Sequence, residues 1–549
     1  MNSFTGSVTA LLPEVDTLSL AQQVAQMFVV RASGYLFDHQ IQYPEWEPPA
    51  ATLQHWLENL GVGGVILMGG SAGELALRSQ QLQSWATVPL LIAADIEEGV
   101  GQRFAGATWF PPPMALSAIA QKDPTQAQQY AQQMGAITAS EALAIGINWV
   151  LAPVVDVNNN PANPVINVRA FGETPSQVSH LATAFIQGAQ QYPVLTTAKH
   201  FPGHGDTAVD SHLELPVLPH SPERLAQIEL PPFVDAIAAG VDAVMSAHLL
   251  IPAWDAERPA TLSQPILIGQ LRQNLGFEGL IVTDALVMGA IANRYGANEA
   301  PIMALEAGAD ILLMPVDPAG AIQAVCDAVN SGRISPERIR ASVERIWKAK
   351  QKIFSASQSG EVAQPIQNSI QLLAQPLALS TDANILRSSQ QLIRGSVPLP
   401  AEPPTPNRNL YNLIVVDDAL SCDFLGRQAP AVSYPTQLGY KLQLIDSHTP
   451  STSVSEDTET VSATLVQLFI RGNPFRGSAG LTQIAQDYLN NLLRRGELQA
   501  LLIYGSPYTV NQLLPNLPED IPCIFSYGQT PAAQAIALEL LFGSQRFSA

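Results

Sequence analysis

The chain has 549 residues, 47% of them hydrophobic and only 13% charged, so it can bury a large core and is too apolar to be a disordered polymer. With 47 acidic against 27 basic residues the net charge is −20 and no Lys/Arg-rich run occurs, which argues against a nucleic-acid or anionic-membrane surface. The cysteines Cys326, Cys422 and Cys523 lie far apart with no CxxC pair, so neither a disulfide framework nor a cysteine zinc site is indicated.

The first 30 residues contain no Lys or Arg and no long apolar run, the reverse of a secretion signal, and no window reaches the ~20 apolar residues of a spanning helix. A cytoplasmic protein without a membrane partner is expected. Short apolar runs bounded by Gly, Pro or Asp then follow at Phe28–Arg31, Gly64–Met68, Leu90–Asp95, Asn148–Pro153, Leu195–His200, Ala243–His248, Leu280–Asp284 and Asp310–Met314. Between them, helical spacing marks Pro124–Ile145, Pro175–Gln190, Pro222–Ala239, Ser263–Leu275 and Asn298–Gly308. Strands apolar on both faces that alternate with helices predict a parallel sheet, and eight such units predict a (β/α)8 barrel over residues 1–354. An open doubly wound sheet is the alternative, but its glycine fingerprint is missing: Gly61-Val62-Gly63-Gly64 precedes its strand instead of following it.

Beyond Ser355 the barrel pattern stops. A Ser/Gln-rich stretch, a helical segment and the Pro-rich Pro398–Pro406 read as a linker over 355–406. Strand-like Asn412–Val416, Thr464–Ile470, Ala500–Tyr504 and Ile521–Phe525, with helical Leu481–Arg494 and Pro531–Leu541, then predict a smaller α/β sandwich domain over 407–549.

In such a barrel the chemistry gathers at the C-terminal ends of the strands. Asp95, Asp156, Lys199, His200, His248 and Asp284 all end or closely follow apolar runs. One strand-end Asp can be a helix cap; a set of polar residues on five strands converging on one rim points to a site. Lys199-His200-Phe201-Pro202-Gly203-His204-Gly205-Asp206, continuing to Asp210-Ser211-His212, is the densest segment, and its glycines and proline make it a loop. His and Asp are competent zinc ligands, but the helical HExxH spacing is absent, so no metal and no cofactor is expected. Histidine titrates near neutrality and an Asp two residues away can orient it, which makes Asp210-x-His212 an acid/base candidate. Asp284, at the end of a buried strand, suits a nucleophile or base. Arg103 and Arg169, in the segments after the third and fourth strands, suit hydroxyl-rich or anionic ligands.

These residues resemble the N-acetylglucosaminidase branch of the family 3 glycoside hydrolases. Besides Lys199–Asp206 with Asp210-Ser211-His212, the landmarks come in that family's order: Asp95-x-Glu97, Arg103, Ala152–Asn158, Asn163–Gly172, Met245–His248, Pro259–Ser263 and Thr283-Asp284-Ala285-Leu286-x-Met288. The resemblance covers roughly residues 18–350. It implies a retaining β-glycosidase acting on a small carbohydrate, with Asp284 as nucleophile, His212 as acid/base and Asp210 as its partner. It further implies that Asp95, Arg103, Arg169, Lys199, His200 and Met245 hold the non-reducing sugar. The chain departs from the family after Asp95: where two consecutive glycines are usual, it reads Glu97-Glu98-Gly99. Competing readings are a β-N-acetylglucosaminide phosphorylase, since a histidine acid/base does not repel phosphate, a β-glucosidase, and a non-enzymatic sugar-binding protein. Nothing in the sequence signals oligomeric state.

Overall fold

The computed structural model describes residues 12–211, 214–356, 370–399, 408–419, 422, 424–449, 461–471 and 481–546. Eight strands form the first sheet: β1 (Phe28–Ser33), β2 (Gly64–Met68), β3 (Leu91–Ala94), β4 (Trp149–Val150), β5 (Leu195–Phe201), β6 (Ala243–Ser246), β7 (Leu280–Thr283) and β8 (Leu312–Leu313). Their order, β7-β6-β5-β4-β3-β2-β1-β8, is sequential and parallel. A bridge from Val282 to Ile311, with Thr283 N–H donating to Ile311 O at 3.0 Å, joins β7 to β8 and closes the barrel. All eight predicted runs are strands, because each is buried on both faces between barrel interior and helices.

The helices start where the sequence supplies caps. The Asp123 side chain accepts from Gln126 N–H ahead of Pro124–Ala144, and Thr174 accepts from Gln177 N–H ahead of Pro175–Ala189, with proline at the first helical position in both. The single helix expected over Pro222–Ala239 is two, Pro222–Gln227 and Pro231–Ala238. Pro231 and Pro232 have no N–H to continue the first ladder, so the chain restarts there. Among the described residues no helix is long and apolar enough to cross a membrane.

The second sheet contains β9 (Gln391–Arg394), β10 (Arg408–Val415), β11 (Lys441–Ile445), β12 (Val461–Ile470), β13 (Leu498–Gly505) and β14 (Cys523–Ser526) in the order β11-β10-β12-β13-β14-β9. Only β9 is antiparallel. Gln483–Arg495 packs on one face, and Pro430–Gln437 and Pro531–Phe542 pack on the other, an α/β sandwich. The segment read as a linker lies partly outside the described residues (357–369 and 400–407); its described part holds the helix Pro376–Ser389 and β9. Residues just past β12 and β13 meet barrel loops that follow β3 and β4.

Candidate functional site

At the end of β3 the chain turns through Asp95, Ile96, Glu97 and Glu98, and at the end of β5 it presents Lys199. Barrel closure brings them together. Lys199 Nζ donates to Asp95 Oδ1 at 2.7 Å and pairs with Glu97 Oε1 at 2.6 Å. Arg169, from the loop after β4, clasps Glu97 with two parallel bonds, Nε to Oε2 and NH2 to Oε1, both 2.8 Å. The four charges cancel. Burial alone would push the Glu97 carboxyl up, yet Arg169 and Lys199 outweigh it and hold it well below the usual carboxylate range. Burial likewise opposes charge on Lys199, but Asp95 and Glu97 raise it above an ordinary lysine. Lys199 and Glu97 are buried, whereas the Asp95 side chain keeps 26% of its exposure, so the clamp opens to solvent at Asp95. Arg103 Nε donates to Asp95 O at 3.0 Å and holds that turn from behind.

A second group is centred on Asp156, which is wholly buried. Its Oδ1 accepts from the backbone N–H of His200 at 3.1 Å and of His204 at 2.7 Å, and its Oδ2 lies 2.8 Å from His200 Nδ1. Burial would raise this carboxyl, but His200 and these N–H groups lower it. His204 is pushed down to about 4 by burial and is therefore neutral, lying 2.9 Å from Thr207 Oγ1 and 3.1 Å from Ser211 Oγ.

The loop after β5 is fastened to the loop after β4. Asn163 Nδ2 donates to His204 O and Gly205 O at 2.8 and 2.9 Å, while its Oδ1 accepts from Val165 and Ile166 N–H. Gly205 lies so close to this loop that a Cβ would stand 1.8 Å from Val157 O, so only glycine fits. Farther along, Arg224 bonds to both Asp206 and Glu229, and His220 lies 2.9 Å from Asp206. Asp206, His220 and Glu229 have metal-ligand spacing, but the guanidinium already supplies the cation between the carboxylates. Asp210 is buried at 3% exposure; His212 lies outside the described residues.

Asp284 follows β7, its N–H donating to Ser246 O at 3.2 Å and its Oδ1 accepting from Ala285 N–H at 2.7 Å. Beneath it, His248 Nε2 lies 3.0 Å from Ala285 O and Nδ1 lies 2.8 Å from Thr261 Oγ1, which also accepts from Ser246 Oγ. Because a carbonyl only accepts, Nε2 carries the proton there. The negative charge of Asp284 favours the protonated form of His204 but does not overcome its burial. Met245 is buried in β6, in register between Lys199 and Val282.

Asp95, Arg103, Arg169 and Lys199 thus form one cluster, His200 is held by Asp156 from the same β5 end, and Asp284 follows β7 on the same rim of the barrel. Glu97, which joins the two cations, and Glu98, which faces the second domain, are absent from the residues picked out for the sugar. Their signal was two adjacent carboxylates in a chain poor in charge.

Residues 19–349 match the model of the glycosyl hydrolase family 3 N-terminal domain, and 404–543 match the bacterial glycosyl hydrolase family 3 C-terminal domain. The chain is 35% identical over 396 residues to β-hexosaminidase A of Pseudoalteromonas piscicida, covering 66% of each chain. It is 32% identical over 363 residues to a β-N-acetylglucosaminidase/β-glucosidase of Cellulomonas fimi, covering 64% of this chain and 63% of that one. The match therefore spans just under two thirds of either relative. A family 3 β-N-acetylglucosaminidase structure from Paenibacillus sp. str. FPU-7 superposes with a TM-score of 0.78 at 31% identity, covering 96% of this chain and 97% of that one.

Proposed function

Because this chain belongs to glycosyl hydrolase family 3, we propose that it removes terminal, non-reducing β-linked N-acetylglucosamine with retention at the anomeric carbon. The observation that carries this reading is the neutral clamp of Asp95, Glu97, Lys199 and Arg169, open at Asp95, on the same rim as Asp284. Buried, paired charges of both signs present donors and acceptors to sugar hydroxyls and an amide without attracting a net ion. The names of the Pseudoalteromonas piscicida and Paenibacillus relatives, β-hexosaminidase A and β-N-acetylglucosaminidase, support the N-acetylated sugar, while the Cellulomonas fimi name carries glucose beside it. Soluble peptidoglycan fragments are the proposed natural source, and the cytoplasm the proposed location.

Asp284 attacks the anomeric carbon while His212, oriented by Asp210, protonates the leaving oxygen; a glycosyl ester forms on Asp284. The imidazole then takes a proton from water, which attacks the same carbon and frees the Asp284 carboxylate. A histidine acid avoids the charge repulsion with Asp284 that a second carboxylate would suffer, and it remains protonated nearer neutral pH than an unperturbed carboxyl. Asp95, Arg103, Arg169, Lys199, His200 and Met245 line or support the sugar subsite.

Hydrolysis of an aryl N-acetyl-β-glucosaminide is measured beside the aryl β-glucoside, in buffers with and without phosphate. The N-acetylglucosaminide is the better substrate and the product is the free sugar. A preference for glucoside overturns the sugar assignment; release of sugar 1-phosphate overturns hydrolysis in favour of phosphorolysis.

A further inference from the structure

Glu97 and Glu98 are adjacent and point to opposite partners. Glu97 enters the sugar clamp; Glu98, with no exposed surface, faces the second domain. Arg471, the residue after β12, donates to Glu98 Oε1 from NH2 at 2.6 Å and to Oε2 from NH1 at 3.2 Å. Trp109 Nε1 donates to Oε2 at 3.0 Å, and Glu98 N–H donates to Gln102 Oε1 at 3.0 Å. Among the described residues Glu98 has one charged hydrogen-bond partner, and that partner comes from the other domain.

The same domain also grips the Arg169 loop. Ser506 Oγ donates to Asn167 Oδ1 at 3.0 Å, two residues before Arg169. Tyr508 OH donates to Glu173 Oε1 at 2.6 Å and accepts from Asn158 Nδ2 at 2.8 Å, while Asn158 Oδ1 accepts from Asn167 N–H. The two loops that carry Glu97 and Arg169 are thus each tied on their far side to the second domain.

We infer that Arg471 is a positioning residue: by fixing Glu98 it sets the position of Glu97, and through Glu97 that of Lys199 and Arg169, at the sugar subsite. The inference rests on the reading of that clamp as sugar-binding. An arginine is suited to the task because its planar fork fixes both carboxylate oxygens, which a lysine cannot do. The second domain, which donates no acid in the proposed mechanism, therefore contributes to binding through the geometry of the rim.

The test uses the full-length chain with Arg471→Met, Arg471→Lys, Glu98→Gln and the double variant Glu98→Gln/Arg471→Met. Arg471→Met leaves a buried charge unpaired and lowers Tm as well as affinity. The double variant removes that charge, so its Tm recovers, but its KM stays raised by about tenfold or more, the scale expected for a misplaced binding group, with a smaller change in kcat. Arg471→Lys falls between native and Arg471→Met. A double variant with native KM overturns the inference. Amide hydrogen exchange over residues 96–104 gives a readout independent of turnover: faster exchange in the double variant supports the latch, and unchanged exchange overturns it. If the native chain prefers a glucoside, the substrate assignment fails, and the same variants are read on that glucoside.

Discussion

Lys199 Nζ stands 2.6 Å from Glu97 Oε1 while its side chain is only 1% exposed, and Arg169 bonds to the same carboxylate. The pairing is enforced by burial: each ion has lost its water and only the opposite charge replaces it. Lys199→Met or Glu97→Gln therefore leaves uncompensated charge, and each is expected to cost about 3–5 kcal/mol in urea unfolding. The double variant Glu97→Gln/Lys199→Met costs less than the sum. Additive losses would show that the two groups are not coupled.

Asp284 is expected to carry the glycosyl group. A slow fluorinated glycoside with a good leaving group adds one sugar mass to the intact chain, and peptide mapping locates it on Asp284. Asp284→Asn forms no adduct and loses about a thousandfold or more in kcat, roughly 4 kcal/mol of barrier. An adduct on any other residue removes Asp284 from the nucleophile role.

His212→Ala is expected to lose less activity on an aryl glycoside with an acidic phenol than on a natural disaccharide, because a good leaving group needs little protonation. Asp210→Asn shows the same ordering with a smaller loss. Equal losses on both substrates contradict the acid role.

Lys350, in the helix Pro336–Ala356 and far in sequence from the rim residues, is fully buried with Gln26 Oε1 at 2.8 Å as its hydrogen-bond partner, and burial pushes it down to about 7. The unfolded lysine, with an ordinary value of 10.5, binds more protons between these limits, so stability gains from this group as pH rises from about 7 to about 10. Tm of Lys350→Met relative to the native chain is thus expected to be about 5 °C more favourable at pH 6 than at pH 9. A pH-independent difference would place the lysine in water.

Asp382 shows the opposite sign. It is 7% exposed in the helix Pro376–Ser389, its Oδ1 lacks a hydrogen bond among the described residues, and burial pushes it up to about 7. Between an ordinary 3.8 and 7 the folded state holds the extra proton, so stability falls as pH rises through that window. Asp382→Asn is expected to be more stabilising by about 3 kcal/mol at pH 8 than at pH 4.5. Equal gains at both pH values would refute the shifted carboxyl.

The sequence by itself determined the eight strands of the barrel and the four inner strands of the second sheet. Runs apolar on both faces, ended by Gly, Pro or Asp, have one stable placement, between two buried layers. It also placed Asp95, Lys199, His200 and Asp284 at strand ends, which barrel topology turns toward one mouth. β9 and β11 escaped because they lie at the two sheet edges, where exposure removes the apolar pattern: four of the five β11 residues are exposed. Only the tertiary structure decided which charges pair. Lys199 meets Asp95 across 104 residues and Arg471 meets Glu98 across 373, and no local periodicity encodes either contact. Such pairs depend on barrel closure and domain docking, which remove the groups from water and leave each charge with the opposite charge nearest to it.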